Sequence, residues 1–267
     1  MNGSFVGYEN AQTDPGLLGS TFQNTAGYST ATIFRGSGDG SGNCDTTNVD
    51  SAGLTQEVNG ALGTTNENTL EQALAGSSEA TGTSSCEVNS NGRGELDYPA
   101  PSSETETLLG LLGLPSGPPA PRVFYLVSPG AGYFLETSYA GIGNIQAQTG
   151  APFSLATFDG TYVEGSIPAS SFASTDSTGT LTADGNGNVA YTENENVSAG
   201  TVNALKNDQT TNTTYSLSDP NDTVPPATAG RYLLGDGVTV IYAINPGTFV
   251  LLDTSAEQAS PSVSLLY

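Results

Sequence analysis

The chain has 267 residues, 27 acidic against 5 basic, for a formal net charge of −22, yet only 12% of its residues are charged, so its surface must be mostly neutral polar. A chain of that sign cannot set Lys or Arg against phosphates and release counterions, which excludes nucleic acid and anionic membrane surfaces as partners. With no His and a single Lys, Lys206, it cannot build a Ser-His-Asp or Cys-His set or a His-ligated metal site.

The first residues, Met1-Asn2-Gly3-Ser4, carry neither a basic segment nor an apolar stretch, so the expectation is that any signal peptide has been removed or lies outside this sequence. No run approaches the roughly 20 apolar residues of a membrane helix. Twelve Tyr and nine Phe fall in short apolar runs bounded by Gly, Pro, Asn and Asp, which predicts an ordered all-β protein rather than a disordered acidic chain. The first such run, Phe5-Val6-Gly7-Tyr8, reads as a strand that begins abruptly.

Next comes Asp39-Gly40-Ser41-Gly42-Asn43, which has a counterpart in Asp184-Gly185-Asn186-Gly187-Asn188. Asp39, Asn43 and Asp50, with Ser41, and likewise Asp184, Asn186, Asn188 and Glu195, fall at positions 1, 3, 5 and 12 of a calcium-loop pattern. The Gly usual at position 6 is Cys44 in one copy and Val189 in the other, and Asp-Gly and Asn-Gly also supply the positive φ of a hairpin turn, so the turn is favoured over calcium. No other cofactor is expected.

Cys44 and Cys86, the two cysteines, lack the spacing of a zinc or redox motif and are expected to form one disulfide. A loop of that size is worth about 3–4 kcal/mol in the chain-entropy account and persists in an oxidising compartment, which points to an extracellular or cell-surface protein. Between Asn43 and the hairpin at Phe124 lies an insertion of about residues 54–119. Asn68 with Glu71 and Ser103 with Glu106 give helix-capping patterns there, and a Leu-rich run at 108–114 ends at Pro115, so short helices are predicted in this insertion.

The chain then repeats itself. Phe124–Thr137 reads FYLVSPGAGYFLET and Ile241–Thr254 reads IYAINPGTFVLLDT, aligned without a gap at a spacing of 117 residues, each a β-hairpin about a Pro-Gly turn. Gly92-Arg93 and Gly230-Arg231 form a further matched pair. Two tandem antiparallel β domains follow, residues 1–150 with the insertion and residues 151–267 as the plainer repeat. In the second, eight strands are predicted near 153–163, 179–183, 189–193, 213–217, 230–234, 238–244, 248–253 and 262–267, a meander forming a β-sandwich or an up-and-down barrel.

The Thr182–Asn188 hairpin T-A-D-G-N-G-N, the Gly92-Arg93 step, the V-S-P hairpin at Val127–Pro129 and the Gly143-Asn144-Ile145-Gln146 closing segment resemble repeat modules of large secreted β proteins of Acidobacteria and related bacteria. That resemblance implies a repeated β fold and secretion, with no assigned chemistry.

Four acceptor patterns for glycosylation, at Asn2, Asn196, Asn212 and Asn221, mark exposed loops. Asp253-Thr254-Ser255 and its mate Glu136-Thr137-Ser138 are similar to an aspartic-peptidase signature, but Ser stands where the close carboxylate pair needs Gly, so a strand end turning into solvent is expected. A glycosidase needs only two carboxylates, although the absence of Trp argues against a polysaccharide cleft.

The expected function is therefore non-enzymatic: an extracellular structural subunit, self-assembling into a filament, pilus-like fibre or surface coat. Its terminal strands, marked by Phe5 and Tyr8 and by Val263, Leu265 and Tyr267, are candidates for exchange between subunits, against the alternative that both pair within their own domain. The alternative is a secreted adhesin or carbohydrate-binding module with a glycan ligand, and a carboxylate hydrolase ranks third.

Overall fold

A computed structural model describes residues 2–13, 25–41, 44–57, 62–65, 86–96, 122–136, 140–168, 173–199, 202–218, 226–253 and 262–267. The first half contributes β1 (Asn2–Thr13), β2 (Thr25–Asp39), β3 (Cys44–Glu57), β4 (Leu62–Thr65), β5 (Cys86–Val88), β6 (Arg93–Leu96), β7 (Arg122–Ser128), β8 (Ala131–Glu136) and β9 (Ala140–Ala147). These form one open antiparallel sheet in the order β4-β3-β2-β1-β9-β8-β7-β6-β5.

The second half contributes β10 (Asp159–Pro168), β11 (Ala173–Asp184), β12 (Asn188–Ala199), β13 (Val202–Leu217), β14 (Arg231–Leu234), β15 (Thr239–Asn245), β16 (Thr248–Asp253) and β17 (Ser262–Leu266). Each pairs with the next, and β10 pairs with β17 to close the barrel. Of the two architectures the pattern allowed, the second half takes the barrel and not the sandwich. All eight predicted strands exist, the first beginning later than expected because Leu155–Thr157 is a 3-10 turn.

Alternation along each strand fills the barrel. Phe158 sits at its aromatic centre, with the Phe249 ring 4.7 Å away, Tyr162 and Tyr215 at 5.2 Å and Tyr232 at 5.5 Å. The phenols that enter this apolar end find acceptors, as buried hydroxyls must. Tyr215 donates to the carbonyls of Phe158 and Leu155, at 2.7 and 3.0 Å, and Tyr232 to that of Ser154 at 2.9 Å. The segment before β10 thus plugs one barrel end, against the short helix α1 (Pro226–Ala229), whose Ala227 carbonyl accepts from the Phe153 amide at 2.6 Å.

The inner face of the first sheet uses Phe over Gly. Phe34, Phe124 and Phe134 stand directly across the ladder from Gly7, Gly94 and Gly143, and each ring lies where a Cβ on its partner glycine would be. The rings cover strand positions that have no side chain of their own. Together with Phe5 and Ile145 they make the inner core.

Two expectations change against this structure. The stretch at 54–119 does not read as one helical insertion, because β3 runs on through Glu57 and β4, β5 and β6 lie inside it. The predicted helices near Asn68 and Ser103 fall outside the described residues. The terminal strands have no free edge to exchange: β1 pairs with both β2 and β9, and β17 with both β10 and β16.

Candidate functional site: an uncovered apolar face

The two halves meet through outer faces. Val6 and Tyr8 of β1 and Ala31 and Ile33 of β2 pack on Val240, Tyr242, Ile244, Val250, Leu252 and Val263 of the second barrel. Polar groups lock this contact. The Arg35 guanidinium donates to Gln148 Oε1 and Ser4 Oγ, both at 3.0 Å, and to the Thr228 carbonyl at 3.3 Å. Gln148 Nε2 donates to the carbonyls of Ala229 and Ala243, and Asn10 Nδ2 to that of Ile167.

The ladder registers make the halves superposable strand by strand, so each residue of this interface has a counterpart. The 117-residue spacing matches Tyr242, Ile244, Val250 and Leu252 to Tyr125, Val127, Tyr133 and Leu135. Pairing of Leu135 with Ile142, as of Leu252 with Val263, adds Ile142. In the second half these five are 0–2% exposed, whereas in the first they are 50–67% exposed. Tyr125 and Tyr133 are direct cross-strand neighbours. The repeat thus carries the same apolar face twice and covers it once.

The paired Gly-Arg steps border the two faces. Arg231 is buried with its guanidinium 5.9 Å from the Tyr242 ring centre, at the covered face. Arg93, at the open face, forms an ion pair with Glu95 at 2.7 Å that raises its pKa, with Tyr125 beside it.

Of the calcium positions in the second half, Asp184, Asn186 and Asn188 share one turn, and Glu195 does not join them. Asp184 Oδ1 accepts from the amides of Asn186 and Asn188, at 2.8 and 2.9 Å, and Oδ2 from Asn188 Nδ2 at 2.6 Å, so its carboxylate closes the turn itself. The side-chain bond from Asn188 leads the causes that lower the Asp184 pKa. Glu195 lies far along β12, opposite Lys206. In the first copy Asp39 Oδ1 accepts from the Ser41 amide at 2.6 Å, Asp50 sits in β3 opposite Ile33, and Asn43 is outside the described residues. Among the described residues no cluster of three or more His, Cys, Asp or Glu is placed to hold a metal ion.

Of the glycosylation positions, Asn2, Asn196 and Asn212 are exposed on β1, β12 and β13, and Asn221 is outside the described residues. Asp253 and Glu136 end strands in separate halves, opposite Thr239 and Gly141. The side chains of Cys44 and Cys86 also lie outside the described set, although their strands do not.

Sequence reasoning missed the polar end of the barrel. Glu164, Gly179 and Glu193 form one row across β10, β11 and β12, with a glycine between two inward carboxylates. Glu164 is 1% exposed; its Oε1 accepts from Ser177 Oγ at 2.8 Å, and its Oε2 has no hydrogen-bond partner among the described residues. Burial, then the charge of Glu164, raises the Glu193 pKa, and burial followed by both carboxylates pushes the Tyr191 phenol strongly up.

No protein-family model and no curated protein matches this sequence.

Proposed function

We propose that the protein is an extracellular structural subunit that assembles head to tail with further copies of itself. One observation carries the reading: the open face of Tyr125, Val127, Tyr133, Leu135 and Ile142 is the counterpart of the face that the first half already covers on the second. An apolar face of this kind on a soluble chain marks a contact. Its occupant is a second copy, offering the outer face of its β10 and β11, the counterpart of the β1 and β2 face used within the chain, with Val163 exposed at its centre. Such a contact joins unlike surfaces and leaves one of each free, which generates open chains rather than closed pairs. Composition and the resemblance to secreted repeat modules support an extracellular setting.

Complementation tests this geometry. Tyr133→Ser with Leu135→Ser disables one surface and Val163→Asp the other, each at exposed positions that leave the cores intact. In sedimentation and electron microscopy the wild type is expected to form concentration-dependent linear oligomers and each variant to remain monomeric. An equimolar mixture of the two variants should form dimers only. A wild type monomeric at all concentrations, or Val163→Asp that still oligomerises, overturns the proposal. A second reading, a glycan-binding module, draws on the adjacent exposed rings of Tyr125 and Tyr133, and binding on a glycan array that Tyr125→Ser abolishes would favour it.

A further inference from the structure

In the barrel of the second half β12 pairs along its length with β13, a strand running from Val202 to Leu217 before handing on to β14. The first half follows the same path in two described strands, β4 and β5. β4 returns along the far end of β3, from Gln56 opposite Leu62 to Gly53 opposite Thr65, as the start of β13 returns along β12. β5 lies on β6 as the end of β13 lies on β14. Among the described residues, Cys44–Ala52 of β3 pair with β2 alone and β5 pairs with β6 alone. Among the described residues the sheet is thus open at the seam where the other half is joined.

Both cysteines stand on this seam, one on each side. Cys44 pairs with Gly38 as Val189 pairs with Ala183, and Cys86 pairs with Leu96 as Tyr215 pairs with Leu234. Cys44 thus occupies the register position of Val189, and Cys86 that of Tyr215. In the closed barrel those two counterparts are neighbours across the seam. Val189 is opposite Thr213, and the Tyr215 amide donates to the Gly187 carbonyl at 2.8 Å, so they are related diagonally. Both point into the same interior core.

Diagonal positions on one face of a regular ladder have Cα atoms about 7–8 Å apart, slightly beyond the usual disulfide span of about 4.4–6.8 Å. A seam without a ladder is not held to that spacing and can close by the remainder. A covalent tie also contributes most where the residues it joins lie far apart in sequence.

We propose that Cys44 and Cys86 form an intramolecular disulfide that closes the first sheet into a barrel, in place of the ladder between β12 and β13. Each thiol gives up its proton and the pair gives up two electrons to a low-molecular-weight disulfide, which is reduced to two thiols as the S–S bond forms. This closure is independent of the proposed assembly.

The full chain, equilibrated with reduced and oxidised glutathione, provides the test. Alkylation under denaturing conditions without reductant should find no free thiol, the intact mass should lie two hydrogens below that of the reduced chain, and proteolysis should release one peptide joining the two cysteines. Amides of residues 44–52 and 86–88 should exchange at least tenfold more slowly in the oxidised than in the reduced protein, while those of 188–199 stay unchanged. Cys44→Ser should exchange like the reduced chain. Two alkylatable thiols, a disulfide between chains, or an internal disulfide that leaves exchange in β3 and β5 unaltered overturns the proposal.

Discussion

The ring-over-glycine design of the first sheet makes a sharp demand on Gly143. A Cβ built there would fall on the tip of the Phe134 ring and 2.5 Å from the Tyr8 carbonyl oxygen. The ring could turn aside, but the backbone of β1 is held by ladders on both sides. Overpacking of a dense core costs about 1–3 kcal/mol, against which the alanine recovers about 0.4–1 kcal/mol by restricting the unfolded chain. Gly143→Ala should therefore lose about 1–2 kcal/mol. Gly165 on β10 is the control, since nothing lies within 4 Å of a Cβ built there, and Gly165→Ala should be neutral or gain up to about 1 kcal/mol. Urea unfolding followed by circular dichroism measures both midpoints. Adding Phe134→Leu to Gly143→Ala should cost less than the sum of the two single losses, because the shortened side chain vacates the contested space. A Gly143→Ala protein as stable as Gly165→Ala, or strict additivity with Phe134→Leu, would refute the steric account.

The contact between halves predicts that Arg35→Leu, which removes donors from Gln148 Oε1, Ser4 Oγ and the Thr228 carbonyl, costs about 1–3 kcal/mol through the loss of charge-assisted hydrogen bonds to these partly buried acceptors. Calorimetry should then resolve two transitions where the wild type shows one; a single unshifted transition contradicts the idea that this cluster couples the halves. The Glu193 carboxyl, raised first by burial and then by Glu164, binds its proton more tightly folded than unfolded. Stability should therefore fall as pH rises from the ordinary carboxylate range through the raised folded value. Glu193→Gln should flatten that part of the pH profile of the urea midpoint, and a slope equal to that of the wild type would dismiss the assignment.

How much of this was legible follows from the residues. The hairpins at Phe124 and Ile241 announced themselves because their strands are apolar on both faces. That double apolarity was itself the signal of a second burial surface beyond the core, and so of the open face. The eight strands of the second half were visible from spacing, but closure was not, since it depends on β10 meeting β17 across the whole length of the half. β5 and β6, with sequences CEV and RGEL, are too short and polar to stand out from the insertion around them. The row of Glu164, Gly179 and Glu193 joins strand extensions rich in Thr, Asn and Glu whose pattern gives no sign of burial. The terminal strands looked exchangeable only because a sequence does not show which edges its own neighbours occupy.

The repeat also sets how strong the proposed assembly can be. Within the chain, the covered face meets Val6, Tyr8, Ala31 and Ile33. Their counterparts in the second half are Val163, Gly165, Asp176 and Thr178, so a second copy brings one of the four apolar residues to the same place. Exposed Thr161, Thr180 and Thr182 surround Val163 and supply methyl groups beside hydroxyls that keep the face wetted. Since affinity follows buried apolar anchors more than area, the contact between copies should be much weaker than the contact between halves. The halves stay joined while the copies exchange, and oligomers should come apart on dilution without any loss of folded structure.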